Sequence, residues 1–280
     1  MRIVELHSAR GVWMALTVLA VLGAAPARAQ SPPVVTVVAR DFVFERPAPV
    51  TVPAGPITVR MINGGKDLHM IGIVWLGEHS VAEFLAAVQG DSLFPGPYEV
   101  GGPNAVVPGD TAVATVVLPP GHAVLACWVM DEDGKMHVQK GLFAPLEVAP
   151  AGPRTATEPH ADARITLRDY AIDMAGVPAA GRRVFRVENR GPATHDVEVF
   201  RMAPGATMAD VDAWMHHPMA GSRRARPLGG MVGVDRGHHA WFTVDLTAGD
   251  YVLVCWMPDA KGVPHYSGHR MLRRFRVAAG

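Results

Sequence analysis

The sequence has no block of like charge: 26 basic side chains are balanced by 26 acidic ones over 280 residues. That balance gives no electrostatic reason to expect nucleic acid or an anionic membrane surface as a partner. It also lacks an apolar run long enough for a retained membrane span, since Gly11 to Ala25 is too short. With Arg2 and Arg10 before it and Ala27-Arg28-Ala29 after it, that run reads as an export signal over residues 1–29, cleaved after Ala29. No cysteine stands at the cleavage point, which excludes a lipoprotein. There is no Ser-His-Asp signature, phosphate loop, zinc helix motif or His-x-His pair. The mature chain is therefore expected to be periplasmic or secreted, with no membrane span. Cysteine is scarce, with only two residues, and aromatics are modest at 7%.

Those two cysteines mark an internal duplication. The stretches Gly101–His137 and Gly229–His265 align without a gap, and 16 of 37 positions are identical, including Cys127/Cys255, Trp128/Trp256 and His137/His265. Upstream, His69 and His195 each follow an asparagine, Asn63 and Asn189, by six residues. The chain thus divides into unit one at 33–149, a proline-rich linker at 150–162 and unit two at 163–278.

Within each unit the pattern is that of strands with frequent turns. Ile57, Val59 and Met61 alternate with Thr58 and Arg60, and His69, Ile71 and Ile73 share a face by the two-residue period. In unit two His195, Val197 and Val199 face the apolar side, and Asp196 and Glu198 are expected on the opposite face. Ser80-x-x-Glu83 and Thr207-x-x-Asp210 open one short helix per unit. About seven strands and one helix each predict an all-β fold, two tandem Greek-key β-sandwiches.

A thiolate and two imidazoles in one place form a soft metal site suited to copper, because thiolate favours Cu(I) and imidazole accepts both oxidation states. Each unit offers one such set: His69, Cys127 and His137, then His195, Cys255 and His265. The strand phrase Gly249-x-Tyr251-x-x-x-Cys255, with Asn189 and His195 upstream and His265 downstream, resembles the cupredoxins, the blue copper-like domains. The resemblance covers nearly all of the mature chain. It implies an exported copper-binding protein that transfers electrons or carries copper, with a redox or copper-exchange protein as partner. Two departures stand out. Nine residues separate cysteine and histidine in both units, and the methionine expected afterwards is Leu142 in unit one. Unit two has Met271, one residue late, so it is the better candidate for a fourth ligand.

A second reading is a non-metal structural or ligand-binding sandwich with a degenerate copper site. Two exported thiols ordinarily pair, but a Cys127–Cys255 bridge requires Cα atoms within about 7 Å across the two units. A third reading, a two-domain copper oxidase or nitrite reductase, requires His-x-His pairs and a cysteine flanked by histidines. Both cysteines here are followed by tryptophan, so the chain is expected not to be an enzyme. The pairs His216-His217 and His238-His239, with His269, read as solvated histidines. Most of the 14 methionines read as core, and Trp128 and Trp256 as packing anchors.

Overall fold

The computed structural model describes residues 30–46, 51–90, 96–152, 156–217 and 224–279. The export signal expected at 1–29 lies outside the described residues. The first repeat runs β1 (Val34–Arg40), β2 (Val43–Glu45), β3 (Thr51–Pro53), β4 (Gly55–Asn63), β5 (Gly72–Gly77), α1 (Val81–Gln89), β6 (Tyr98–Glu99), β7 (Thr111–Leu118), β8 (Gly121–Ala126), a 3₁₀ turn (His137–Lys140) and β9 (Phe143–Ala149). The second runs β10 (Ala163–Arg168), β11 (Ala171–Ala175), β12 (Gly181–Asn189), β13 (His195–Met202), α2 (Met208–His216), β14 (Ala225–Val234), β15 (His239–Leu246), β16 (Gly249–Val254), α3 (His265–Gly268) and β17 (Leu272–Val277).

The elements follow the local chemistry of their sequences. On β4, Ile57, Val59 and Met61 are wholly buried while Arg60 on the other face is exposed, as period-two alternation requires. Burying such a side chain contributes about 1.5–3 kcal/mol. Helix α1 starts at a reciprocal cap: Ser80 Oγ accepts from the Glu83 backbone N–H, and Glu83 accepts from that of Ser80 at 2.7 Å. Asp210 accepts in the same way from the backbone of Thr207 ahead of α2.

The chain is mostly β, as expected, and the two repeats share one of its sheets. Three sheets are present: β3-β9-β8-β5-β6, β14-β13-β16-β17, and an eight-stranded sheet ordered β11-β10-β12-β15-β7-β4-β1-β2. The last is shared, because β15 pairs antiparallel with its own counterpart β7, Trp241 facing Thr115 and Thr243 facing Val113. A second antiparallel contact joins the repeats at Val100–Val234 and Pro103–Met231. Pro103 and Met231 are equivalent positions, so an approximate two-fold relates the repeats, and one apolar core runs through both. Gly102 and Gly230 (φ +151° and +154°) bring this contact close to β-strand backbone. A Cβ on either would lie 2.0 Å from a carbonyl oxygen, that of Ile71 or Val197.

The docking also decides what lies over each face of β13. Asp196 and Glu198 do lie opposite His195, Val197 and Val199, yet both faces of the strand are buried. The first repeat covers the acidic face: Asn104 Nδ2 donates to the Val197 carbonyl at 3.2 Å, and the Asn104 N–H to that of Gly230 at 3.3 Å.

Candidate metal centre

Each set of three expected ligands converges. The donor atoms of His69, Cys127 and His137 all lie within 4.8 Å of one another, and so do those of His195, Cys255 and His265. All six residues are buried.

The first histidine of each set is delivered by its asparagine. Asn63 Nδ2 donates to the carbonyls of Asp67 and Val106 at 2.8 and 2.7 Å, and its Oδ1 accepts from the Gly65 N–H. Asn189 makes the equivalent bonds to Ala193, Val234 and Gly191. This buried clip closes the turn ahead of the histidine, which explains the six-residue spacing. The cysteine and second histidine are tied together through the backbone. Val138 donates to the Cys127 carbonyl at 2.9 Å, and Tyr266 to that of Cys255 at 2.8 Å.

In the second set, Cys255 Sγ lies 3.5 Å from His265 Nδ1 and 3.7 Å from His195 Nδ1, and the two Nδ1 atoms are 3.2 Å apart. Metal–nitrogen and metal–sulfur bonds of about 2.0–2.3 Å around one point place donors roughly 3–4 Å apart, so the spacing fits one ion. In the first set, Cys127 Sγ is 3.6 Å from His137 Nδ1, while His69 Nδ1 is buried without a hydrogen-bond partner. The two ring pairs share their separation and tilt, with centroids 5.2 and 5.1 Å apart and 61° between planes in both.

Burial keeps these groups neutral in the metal-free protein. It pushes the imidazoles of His69, His137, His195 and His265 below the usual histidine value. It raises the Cys127 thiol to about 12 and the Cys255 thiol well above its ordinary value. The imidazoles are therefore ready as ligands, whereas each thiol would give up its proton only on binding a cation.

Two carboxylates behind the histidines were not singled out from sequence. Asp169 Oδ1 lies 2.6 Å from His195 Nε2, and Asp41 Oδ1 lies 3.2 Å from His69 Nε2. With Nε2 donating to the carboxylate, Nδ1 is left as a lone pair, which in His195 lies 3.7 Å from Cys255 Sγ, so the outer carboxylate fixes the tautomer. The signal was present in the repeat: Arg40-Asp41-Phe42 and Arg168-Asp169-Tyr170 sit 128 positions apart, as do the cysteines. The aromatics that follow cover the second histidines. Phe42 meets His137 edge-on at 5.5 Å, and Tyr170 meets His265 at 4.7 Å while stacking on His269 at 3.7 Å. Asp169→Asn is expected to lower copper affinity at the second centre about 10–100-fold, and Asp41→Asn to act less strongly across its longer contact. Competition with a chelator of known affinity reads both.

Met271 is wholly buried and takes the place of Leu142. The Cys255 N–H donates to the Met271 carbonyl as the Cys127 N–H does to that of Leu142, at 3.2 and 3.1 Å. The extra residue is absorbed by a full turn at α3 followed by Arg270 at φ +57°, where the first repeat has a 3₁₀ turn and Gly141 at +108°. Neither cysteine is in a disulfide. Beyond the two Cys/His sets, the described residues contain no other group of three or more His, Cys, Asp and Glu side chains placed to share a metal ion. His239 pairs with Glu158, His269 with Asp259, and His238 stacks on Tyr98. Trp128 packs on Phe84 and Trp256 on Tyr266.

No family model matches this chain, and no curated protein matches it. Among solved structures, auracyanin A, a blue copper protein from Chloroflexus aurantiacus, is 18% identical over 42% of this chain and 100% of its own, with a TM-score of 0.32. A blue copper oxidase from Nitrosomonas europaea is 15% identical over 81% of this chain and 79% of its own (TM-score 0.28). A copper nitrite reductase from the same organism is 14% identical over 89% and 94% (TM-score 0.27). The expectation that the chain is not an enzyme is corrected by these last two, which are enzymes by name.

Proposed function

We propose that the protein is an exported copper-binding protein that transfers electrons or carries copper in the periplasm or outside the cell. In this reading it consists of two cupredoxin-like Greek-key units, 33–149 and 163–278, joined by a linker at 150–162. His195, Cys255 and His265 hold one ion, with Met271 as the weak fourth ligand. His69, Cys127 and His137 hold a second ion, with Leu142 closing the fourth side. A copper ion bound in this way supplies one-electron exchange between Cu(I) and Cu(II). The chain's own residues set the conditions for it. The paired sheets hold the three donors still, Asp41 and Asp169 orient the first imidazoles, and Phe42 and Tyr170 keep water from the second. A redox or copper-exchange protein is the partner.

The observation that carries this reading is the repeated ring geometry, 5.2 and 5.1 Å at 61°, built twice from separately positioned strands. No helix among the described residues is long and apolar enough to cross a membrane. An anaerobic copper titration followed by optical and paramagnetic resonance spectra tests the reading. Up to two equivalents and a thiolate-to-copper absorption band are expected. Absence of both the band and tight stoichiometric binding would mean a sandwich that has lost its metal.

A further inference from the structure

The loop between Cys127 and His137 is a short hairpin. His137 N–H donates to the Val129 carbonyl at 2.8 Å and Asp131 N–H to that of Lys135 at 3.0 Å. Between these bonds Met130 and Met136 face each other as an antiparallel bridge. Theirs is the non-hydrogen-bonded kind of pair, in which the side chains share a face and approach most closely, with Cβ atoms about 4.5–5.5 Å apart. Asp131 locks the turn by accepting from the N–H groups of Asp133 and Lys135.

The second repeat builds the same hairpin with the same bonds, Asp259 replacing Asp131. There, however, the facing pair is Pro258 and Pro264. Proline fits because neither position donates within the hairpin ladder; in the first repeat the Met136 N–H instead donates to Gln139 Oε1 at 2.9 Å. The backbone therefore does not require methionine, and packing accounts for only one of the two, since Met136 rests against the cluster of Val74, Phe84 and Val138. Met130 is 63% exposed, more than any other large apolar side chain among the described residues, and Met136 is only half-buried.

We propose that Met130 and Met136 form a dithioether site for Cu(I), through which the ion enters the first centre. Thioether sulfur is a soft donor suited to Cu(I). Met136 immediately precedes His137, and Met130 lies three residues after Cys127. In the transfer the ion leaves the two thioethers for Cys127 Sγ and an imidazole nitrogen of His137. It remains Cu(I), and the thiol proton passes to water. The binding step stands apart from the copper reading of the Cys/His centres; the transfer step rests on it.

The test has two arms. In the full chain carrying Cys127→Ser and Cys255→Ser, Ag(I) and then Cu(I) are titrated anaerobically while the methionine methyl resonances are followed. The methyls of Met130 and Met136 are expected to shift together by one equivalent, and Met130→Leu/Met136→Leu to lower Cu(I) affinity at least tenfold. A Cys→Ala pair serves if the serine pair does not fold. Methyls that stay in place, or an unchanged affinity, overturn the site. In the chain with both cysteines intact, the double leucine variant is expected to load Cu(I) at the first centre at least tenfold more slowly, with the second centre unaffected. An equal loading rate overturns the entry role. If the Cys/His centres take no copper at all, the methyl shifts in the cysteine-free chain still report on the methionine pair.

Discussion

Cys255→Ser removes the second centre's share of the thiolate-to-copper absorption and lowers its copper affinity by roughly 10³-fold, about 4 kcal/mol. Cys255 Sγ is the one soft, anionic donor available there, 3.5 and 3.7 Å from the two imidazole nitrogens. A serine hydroxyl in the same wholly buried position stays protonated, so it supplies neither the charge nor the covalency of a thiolate. Cys127→Ser does the same at the first centre. The two losses are independent because each thiol belongs to its own histidine pair. Titration of both single variants and the double variant checks this. A Cys255→Ser chain that retains its full absorption and stoichiometry refutes thiolate ligation at the second centre.

The second large effect is a loss of stability as pH rises, and it arises where the repeats meet. Burial, then the charges of Asp235 and Asp196, push the Glu99 carboxyl up to about 8. Burial also raises Asp196 to about 6 and Glu198 well above its ordinary value. One oxygen each of Glu99 and Glu198 is buried without a hydrogen-bond partner. A carboxyl with a raised folded-state pKa binds its proton more tightly when folded. Its full contribution is therefore present below the unfolded value, near 4.5 for glutamate, and is lost as pH rises through the folded value.

The window from pH 7 to 8.5 isolates these carboxyls. The four site imidazoles, depressed below 6.5, are already neutral there, and the thiols are still protonated. Each raised glutamate then costs about 1 kcal/mol per pH unit until it ionises. The melting temperature of the metal-free chain should fall by several degrees across this window, and Glu99→Gln should flatten the fall. A wild-type melting temperature that is level from pH 7 to 8.5 contradicts it.

Part of this was legible in the sequence for a clear reason. The six donors lie at fixed spacings that recur in register, and Asn63 and Asn189 recur with them because the turn they close is local. The export signal expected over residues 1–29 lies outside the described residues. Asp41 and Asp169 were harder to see: they lie 28 and 26 residues ahead of the histidines they orient, joined to them only by strand pairing. Met130 and Met136 look like scattered methionines until the hairpin bonds set them face to face.

The sequence by itself determined the duplication, the strand periodicity and the six donors of the two centres, because spacing along a chain governs what a strand and the loop after it present to one another. Only the tertiary structure decided how the repeats join and what their junction buries. Alternation along β13 reports that its two faces differ. It does not report that β7 and β15 zip the sheets together, or that segment 100–106 then covers Asp196 and Glu198. Those contacts span more than ninety residues, and an acidic face looks solvent-bound until something long-range has closed over it.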